Sequence, residues 1–357
     1  MSPQTTEPFD FFVQMHLTER CNLACSHCYQ EGGPLPGEMS LKEVRAAVSE
    51  IAGTIRTWSE LYDIPFSPSF NITGGEPLLR NDLEDILRLT ADDGFAIFLL
   101  TNGTLVEPKT ARMLARIPVK GVQVSLEGPE KVHDTIRGQH SFASAMKGAR
   151  ILLDAGITVT FNVTLSAVNA GYIPDIISIA IAAGVQRVGF SRVVPYGRGL
   201  AMIEKMLKPG DVRSVYEKIF SYRVQGLEVV TGDPLASQMH GGSDIPETGE
   251  LPLGGCAAGV SGITVLPDGT LTPCRRLGMP IGNILTDSLR DVWANSDILN
   301  DLRDKRSYTG KCSQCTRWAG CRGCRAIAYA WSLSQGKSGY LEDDPQCFIN
   351  SAHGDSG

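Results

Sequence analysis

Along residues 11 to 225, short apolar runs alternate with stretches in which apolar residues recur at helical spacing. The runs at 11–18, 69–73, 96–101, 121–126, 158–165 and 187–193 predict six strands. Ser40, followed three residues later by Glu43, opens a capping-box helix whose apolar spacing continues to about Ile55. Further helices are expected near 83–91, 108–115, 142–155, 173–183 and 211–224. Six strands alternating with helices predict parallel βα units, which build either an open doubly wound sheet or a barrel. In both, ligands gather at the C-terminal ends of the strands.

Beyond that series the pattern changes. Residues 232–255 are rich in Gly, Pro and acids and read as a linker or bridging loop. A hairpin follows, with Gly262 to Leu266 and Thr270 to Cys274 joined by the turn Pro267-Asp268-Gly269. Leu289, Val292, Trp293, Ile298, Leu299 and Leu302 have helical spacing and read as core. A last helix is expected at Ala326 to Leu333, with Tyr329 and Trp331 as packing residues.

Composition narrows the class. At 357 residues and 42% hydrophobic, the chain can bury one large domain and a smaller one. A net charge of −6 gives no basic excess for nucleic acid, and no run approaches the ~18 apolar residues of a membrane span. The opening MSPQTTEPFD lacks the basic and apolar regions of a secretory signal, so a soluble, cytoplasmic protein is expected. In reducing cytosol, ten clustered cysteines bind metal or act catalytically more often than they form disulfides.

The first expected strand runs into ERCNLACSHCY, which places Cys21, Cys25 and Cys28 in C-x3-C-x2-C spacing. Three thiolates in one loop can hold three irons of a cubic [4Fe-4S] cluster and leave the fourth without a protein ligand, whereas an electron-transfer cluster takes four cysteines. A structural zinc loop or a redox dithiol is the alternative, but zinc usually takes paired C-x2-C-like motifs or adds histidines, and here only His27 is at hand. After the second strand stands Gly74-Gly75-Glu76-Pro77, where paired glycines let backbone approach a ligand; on its own this is also an ordinary turn. Thr101-Asn102-Gly103 ends the third strand, Ser125-Leu126-Glu127-Gly128 the fourth, and His133 to Gly138 follows; Asn162 lies on the fifth. Capping and turn formation would also account for Asn and Ser there. Arg192 to Gly199, RVVPYGRG, ends strand six as a segment that either faces substrate or is a solvated loop.

Together these stretches resemble the radical S-adenosylmethionine (SAM) superfamily, over roughly residues 11 to 225. The resemblance implies a partial (βα)6 barrel and a cluster on Cys21, Cys25 and Cys28 whose open iron chelates the amino and carboxylate groups of SAM. Tyr29 or His27 would be the aromatic residue beside the last cysteine. One electron would then cleave SAM to methionine and a 5′-deoxyadenosyl radical that abstracts a substrate hydrogen. It also implies that Gly74, Gly75, Glu76 and Pro77 hold the SAM amino group, and that Ser125 and Arg137 reach its ribose and carboxylate, with Asn102 and Asn162 as further contacts. Glu127 stands where relatives commonly carry aspartate.

The C-terminal cysteines read C-x12-G-x4-C at Cys256 and Cys274, C-x2-C-x5-C-x2-C at Cys312, Cys315, Cys321 and Cys324, then Cys347. This resembles the SPASM domain of radical SAM enzymes that modify peptides and cofactors, except that the family more often has three residues before the cysteine at 324. The resemblance implies one auxiliary cluster on Cys256, Cys274 and Cys324 and a second on Cys312, Cys315, Cys321 and Cys347. A zinc ribbon at Cys312 and Cys315 is the alternative.

The expected architecture is thus α/β: a core domain of residues 1–231, a linker of 232–255 and a small cysteine-rich α+β SPASM domain of 256–357. The expected cofactors are SAM and three [4Fe-4S] clusters. A ribosomally made peptide undergoing oxidation or cross-linking is the first substrate reading. Tetrapyrrole (haem) or other small-molecule chemistry is the second, and a non-catalytic electron carrier the third. An external flavodoxin or ferredoxin type donor is implied. The short stretch before strand one leaves no room for the leader-binding winged helix of many peptide maturases, so a separate leader-peptide-binding protein is expected.

Overall fold

The computed structural model describes residues 7–30, 37–239 and 249–349. The Gly/Pro stretch at 32–36 and residues 240–248 of the expected linker lie outside them.

The six expected strands are present as β1 (Phe9–His16), β2 (Phe66–Thr73), β3 (Ala96–Thr101), β4 (Val119–Ser125), β5 (Val159–Leu165) and β6 (Arg187–Arg192), followed by β7 (Glu228–Thr231). Each of β1 to β7 pairs in parallel with the next, in chain order. The connecting helices are α1 (Leu41–Tyr62), α2 (Leu83–Asp92), α3 (Pro108–Arg116), α4 (Glu130–Arg137), α5 (Ser141–Asp154), α6 (Ile173–Ala183) and α7 (Pro209–Ser221). Buried apolar side chains from strands and helices, among them Val13, Met15, Val48, Ile51, Ile72, Leu99 and Phe161, form one large core.

Three elements differ from the pattern-based expectation. β2 begins at Phe66 because Pro68 needs a partner on one side only: it lies opposite Phe11 of β1, while pairing with β3 starts at Ser69. Ser40 forms the expected capping box with Glu43, but α1 continues past Ile55, since Trp58 is buried against Phe11, Phe66 and Trp293. α4 was not legible as a helix, because only His133 and Ile136 of its residues are buried and it carries almost no apolar face.

The expected hairpin is β8 (Gly262–Val265) and β9 (Thr270–Thr272), with a short β10 (Gly282–Asn283) beside it. β8 also pairs in parallel with β1, so the hairpin extends the barrel-type sheet instead of standing apart, giving the order β10-β9-β8-β1-β2-β3-β4-β5-β6-β7. The apolar run at 289–302 is two helices, α8 (Leu289–Asn295) and α9 (Asp297–Arg303), separated at Ser296, whose side chain caps the second. Short α10 (Gly310–Gln314) and α11 (Arg325–Ser334) complete the chain. α8 docks on α1, where the Leu289 N–H donates to Glu50 (3.0 Å). On α11, Tyr329 packs against the second core as expected, but Trp331 lies on the outer face and is 36% exposed.

The end of β6 is fixed to the C-terminal segment by a buried ion cluster. Arg192 Nε and Nη2 donate to Asp233 (2.6 and 3.2 Å), Nη1 and Nη2 to Asp344 (3.0 and 2.7 Å), and Nη1 to Gln346 (2.9 Å). Arg192, expected to face substrate or solvent, has its guanidinium fully committed in the interior. Burial alone would push the Asp344 carboxyl up, but the Arg192 guanidinium outweighs it and holds the group below the usual range. Replacing Arg192 with Met leaves two buried carboxylates without their cation. It should cost roughly 3–5 kcal/mol of stability, seen as a lower urea midpoint of the anaerobic, iron-loaded protein. A midpoint equal to wild type would show that the cluster carries no such energy.

Candidate functional site

A cavity open to solvent, with about 950 Å³ of free space counting its mouth, lies at the C-terminal ends of β2 to β6. Alternation along each strand aims every second residue at it: Gln123 and Ser125 from β4, Asn162 and Thr164 from β5. The loop after β1 supplies Cys21, Cys25 and Cys28, and the loop after β2 supplies Gly74 and Gly75. Asn102 and Arg137 complete the set of expected contact residues that the fold brings to one space. Glu76 and Pro77 are not in its wall. The buried Glu76 carboxylate accepts from the Thr101 hydroxyl (2.8 Å), the Asn102 N–H (2.8 Å) and the Leu78 N–H (3.1 Å), so it ties the β2 loop to the end of β3.

The two glycines act chiefly on the cysteine loop. The Gly75 N–H donates to the Thr18 carbonyl (2.6 Å) and the Glu76 N–H to the Arg20 carbonyl (2.8 Å). A Cβ on Gly75 would lie 2.7 Å from the Glu19 carbonyl oxygen, and one on Gly74 2.7 Å from that of Thr18. Absent side chains thus let two loops hydrogen-bond backbone to backbone beneath the three thiols.

Sulfur-directed donors surround those thiols. The Leu23 N–H lies 3.4 Å from Cys21 Sγ, Arg137 Nη1 lies 3.8 Å from Cys25 Sγ, and Asn102 Nδ2 4.0 Å from Cys21 Sγ. Arg137 is held by Glu127, whose Oε1 accepts from Nε (2.9 Å) and Nη2 (2.7 Å). The other Glu127 oxygen accepts from the Thr164 N–H (2.9 Å). Burial pushes the Glu127 carboxyl up, and the Arg137 guanidinium beside it opposes that shift. His27, 3.4 Å from Glu127 Oε1, is driven well below its ordinary value by burial and then by the Arg137 charge, so its ring is neutral. Tyr29 is pushed up to about 12 by burial, and the Arg275 guanidinium sits 5.6 Å from the centre of its ring.

Several lining residues were not singled out by sequence: Gln123, Thr164, Ser191, Arg275 and Arg276. Strand alternation would have found the first two, counting by twos from Ser125 and Asn162, whereas Ser191 on β6 follows from the register that sets it opposite Thr164. The two arginines directly follow Cys274, and only the docking of the hairpin beside β1 brings them over the barrel mouth. Among the described residues no Asp or Glu lines the cavity, whereas Arg137, Arg192, Arg198, Arg275 and Arg276 do.

All ten cysteines are free thiols. The remaining seven fall into two groups. Cys256, Cys274 and Cys324 pack in a second hydrophobic core with Leu277, Leu299, Leu302 and Ile327, and Cys312, Cys315, Cys321 and Cys347 line a separate small cavity. Burial pushes the Cys312 and Cys324 thiols up to about 12, so free thiolates are disfavoured until a cation takes them. Left-handed Arg322 (φ 62°) and Gly323 (φ 59°) let the chain reverse within the two residues between Cys321 and Cys324. Among the described residues, no three His, Cys, Asp or Glu side chains are grouped as a single-ion site. Sulfur-only sets, half-buried to buried and supplied with N–H donors, fit iron-sulfur clusters in their donor chemistry.

The Radical SAM superfamily matches residues 15–180, and SPASM, an iron-sulfur cluster-binding domain, matches residues 256–316. The mycofactocin maturase MftC of Mycobacterium ulcerans is 31% identical over 89% of this chain and 83% of its own. The AdoMet-dependent heme synthase of Nitratidesulfovibrio vulgaris is 26% identical over 97% of this chain and 95% of its own. The crystal structure of Streptococcus suis SuiB bound to S-adenosylmethionine shares the fold, with a TM-score of 0.72, 19% identity, and 94% of this chain and 75% of that one covered. The protein is a radical SAM enzyme of the SPASM type: the chain belongs to the radical SAM superfamily and carries the SPASM iron-sulfur domain behind it. Its cofactors are SAM and iron-sulfur clusters. Among the described residues no helix is long and apolar enough to cross a membrane.

Gly75→Val tests the loop contact. The Cβ collides with backbone of the cysteine loop, so the reconstituted variant should lose SAM binding by at least tenfold, about 1.4 kcal/mol, together with the iron of one cluster. Full iron with weakened SAM binding would mean that the glycine faces the ligand alone.

Proposed function

We propose that the chain reductively cleaves SAM in the cavity at the strand ends and removes a hydrogen atom from a substrate bound there, in preference to serving as a mere electron carrier. The observation that carries this is the single wall shared by Cys21, Cys25, Cys28, Gly74, Gly75, Asn102, Ser125, Arg137 and Asn162. A carrier has no use for such a chamber beside three thiols. In this reading, Cys21, Cys25 and Cys28 hold the SAM-binding cluster, and Gly74, Gly75 and the β-strand polar residues Ser125 and Asn162 contact SAM. Bound there, the cluster and SAM supply one-electron hydrogen-abstraction chemistry.

The remaining residues position and exclude. Glu127 fixes the Arg137 fork toward Cys25, and neutral His27 fills the space behind it without adding charge. Leu23, Leu100 and Val194 in the wall keep part of the chamber dry. Cys256, Cys274 and Cys324 would hold one auxiliary cluster and Cys312, Cys315, Cys321 and Cys347 the other. Arg275 and Arg276 line both the substrate chamber and the neighbouring pocket that Cys324 borders. Residues 1–231 then act as the SAM core, 232–255 as the bridge and 256–357 as the auxiliary unit, although β8 builds the last into the first one's sheet.

The substrate reading favoured is a ribosomally made peptide undergoing oxidation or cross-linking, supported by the 31% identity to a mycofactocin maturase. Haem side-chain chemistry is the second reading, supported by the near full-length match to the heme synthase. An external low-potential donor, a separate leader-binding protein and a cytoplasmic setting complete this reading. Parallel turnover of a precursor peptide and of an iron porphyrin would decide between the substrates.

Anaerobically reconstituted protein should hold about twelve irons, four per cluster. Replacing Cys21, Cys25 and Cys28 with Ala should remove about a third of the iron and abolish 5′-deoxyadenosine formation. Undiminished SAM cleavage would put the active centre elsewhere, and stoichiometric zinc would end the auxiliary-cluster reading.

Three thiols at Cys256, Cys274 and Cys324 leave one position of that cluster without a cysteine. An added thiolate should therefore alter one auxiliary electron paramagnetic resonance (EPR) signal and spare the other. Two unresponsive signals, or four protein ligands on both, would contradict this.

A further inference from the structure

Between the two C-terminal cysteine groups lies a cation that neither the barrel nor its cavity uses. Arg325, the first residue of α11, is 0% exposed. Its Nη1 donates to the carbonyls of Tyr340 (3.1 Å) and Glu342 (2.7 Å), and its guanidinium carbon sits 5.1 Å from the centre of the Tyr308 ring. Nε and Nη2 are buried with no hydrogen-bond partner among the described residues. A buried guanidinium with unused N–H groups is costly to leave unmet, so an acceptor belongs where those two atoms point.

Their surroundings name the acceptor. A Cβ on Gly323 would lie 2.8 Å from Arg325 Nη2, so that nitrogen rests directly on the Gly323 backbone. Gly323 is in the wall of the cavity lined by Cys312, Cys315, Cys321 and Cys347, and its own N–H lies 3.4 Å from Cys321 Sγ. Arg322, also buried, differs in kind, since its donors meet the carbonyls of Ala319 and Cys256. Among the described residues, the anion-forming groups in that cavity's wall are the four thiols and Asp344, whose oxygens accept from Arg192, the Cys324 N–H and the Gln346 N–H.

We propose that Arg325 is a positioning residue for the auxiliary centre: its orphaned Nε and Nη2 donors face the cluster held by Cys312, Cys315, Cys321 and Cys347 and raise its reduction potential through charge and N–H···S hydrogen bonds. This rests on the reading that those four cysteines hold a cluster. The sign follows from charge: reduction adds one electron to the cluster, and a fixed cation beside it stabilises the more negative form. Gly323 is required because any side chain there would lift the guanidinium away.

The test is a dithionite titration of the full-length, iron-loaded protein followed by EPR, with the signal that SAM perturbs marking the first-loop cluster. Arg325→Met should shift the reduced-to-oxidised ratio of one auxiliary signal at least tenfold toward oxidised at fixed potential, a fall of about 59 mV for one electron. Iron content and the SAM-sensitive signal should not move. Arg325→Lys, which keeps the charge, should recover most of the shift. Full iron with unchanged potentials overturns the proposal. If the Met variant fails to load iron, protein labelled with ¹⁵N in its arginine guanidinium groups decides: wild type should show nitrogen coupling to the reduced cluster that Arg325→Lys lacks, and identical spectra overturn it. About four irons in the wild type would instead defeat the auxiliary-cluster reading on which the proposal rests.

Discussion

The buried Arg192 guanidinium is the constraint on which the relative placement of the cysteine groups depends. An isolated cation at that depth would be prohibitive, and it is retained because Asp233, Asp344 and Gln346 receive its donors on every side. The same Asp344 accepts the Cys324 N–H (2.9 Å) with a side-chain oxygen and the Cys347 N–H (2.9 Å) with its carbonyl. One residue therefore fixes the backbone of a cysteine from each C-terminal group relative to the end of β6. Arg276 leans on the Arg192 carbonyl (3.4 Å) from the hairpin side, so the chamber wall and the auxiliary thiols share one anchor.

Charge in the chamber follows the same logic. Arginines enter its wall from β6, the loop after it, α4 and the hairpin, and among the described residues no carboxylate does. Glu127 neutralises Arg137, and Asp233 and Asp344 neutralise Arg192, so the positive charge left for thiolate-bound clusters and carboxylate-bearing guests is that of Arg198, Arg275 and Arg276. Desolvation strengthens each such interaction, since few of these groups face bulk water.

Docking of α8 on α1 and of β8 on β1 explains how a segment after residue 255 reaches a site built before residue 200. Phe11 meets Trp58 (5.8 Å) and Trp293 (5.3 Å) edge to face, and the two tryptophans meet tilted (5.6 Å), joining strand, first helix and α8 in one aromatic contact. The sheet continues through β8 into the hairpin, so Cys274, Arg275 and Arg276 follow closely on β9, in a turn closed by the pairing of Cys274 with Leu277, instead of on a free tether.

Local pattern determined most of the fold and the chemistry. Period-two runs located β1 to β6, Ser40 with Glu43 located the start of α1, and the spacing at Cys21, Cys25 and Cys28 together with Gly74-Gly75 was enough to mark the site, because those signals are short-range and backbone-encoded. What tertiary structure decided is whatever depends on partners distant in sequence. Arg192 looked like a mouth residue until Asp233 and Asp344 were brought to it, and Trp331 looked like core until its helix face turned outward. Gly75 looked like a ligand contact, whereas its missing side chain first admits the cysteine loop. Burial and pairing are properties of the assembled chain, and no local sequence pattern contains them.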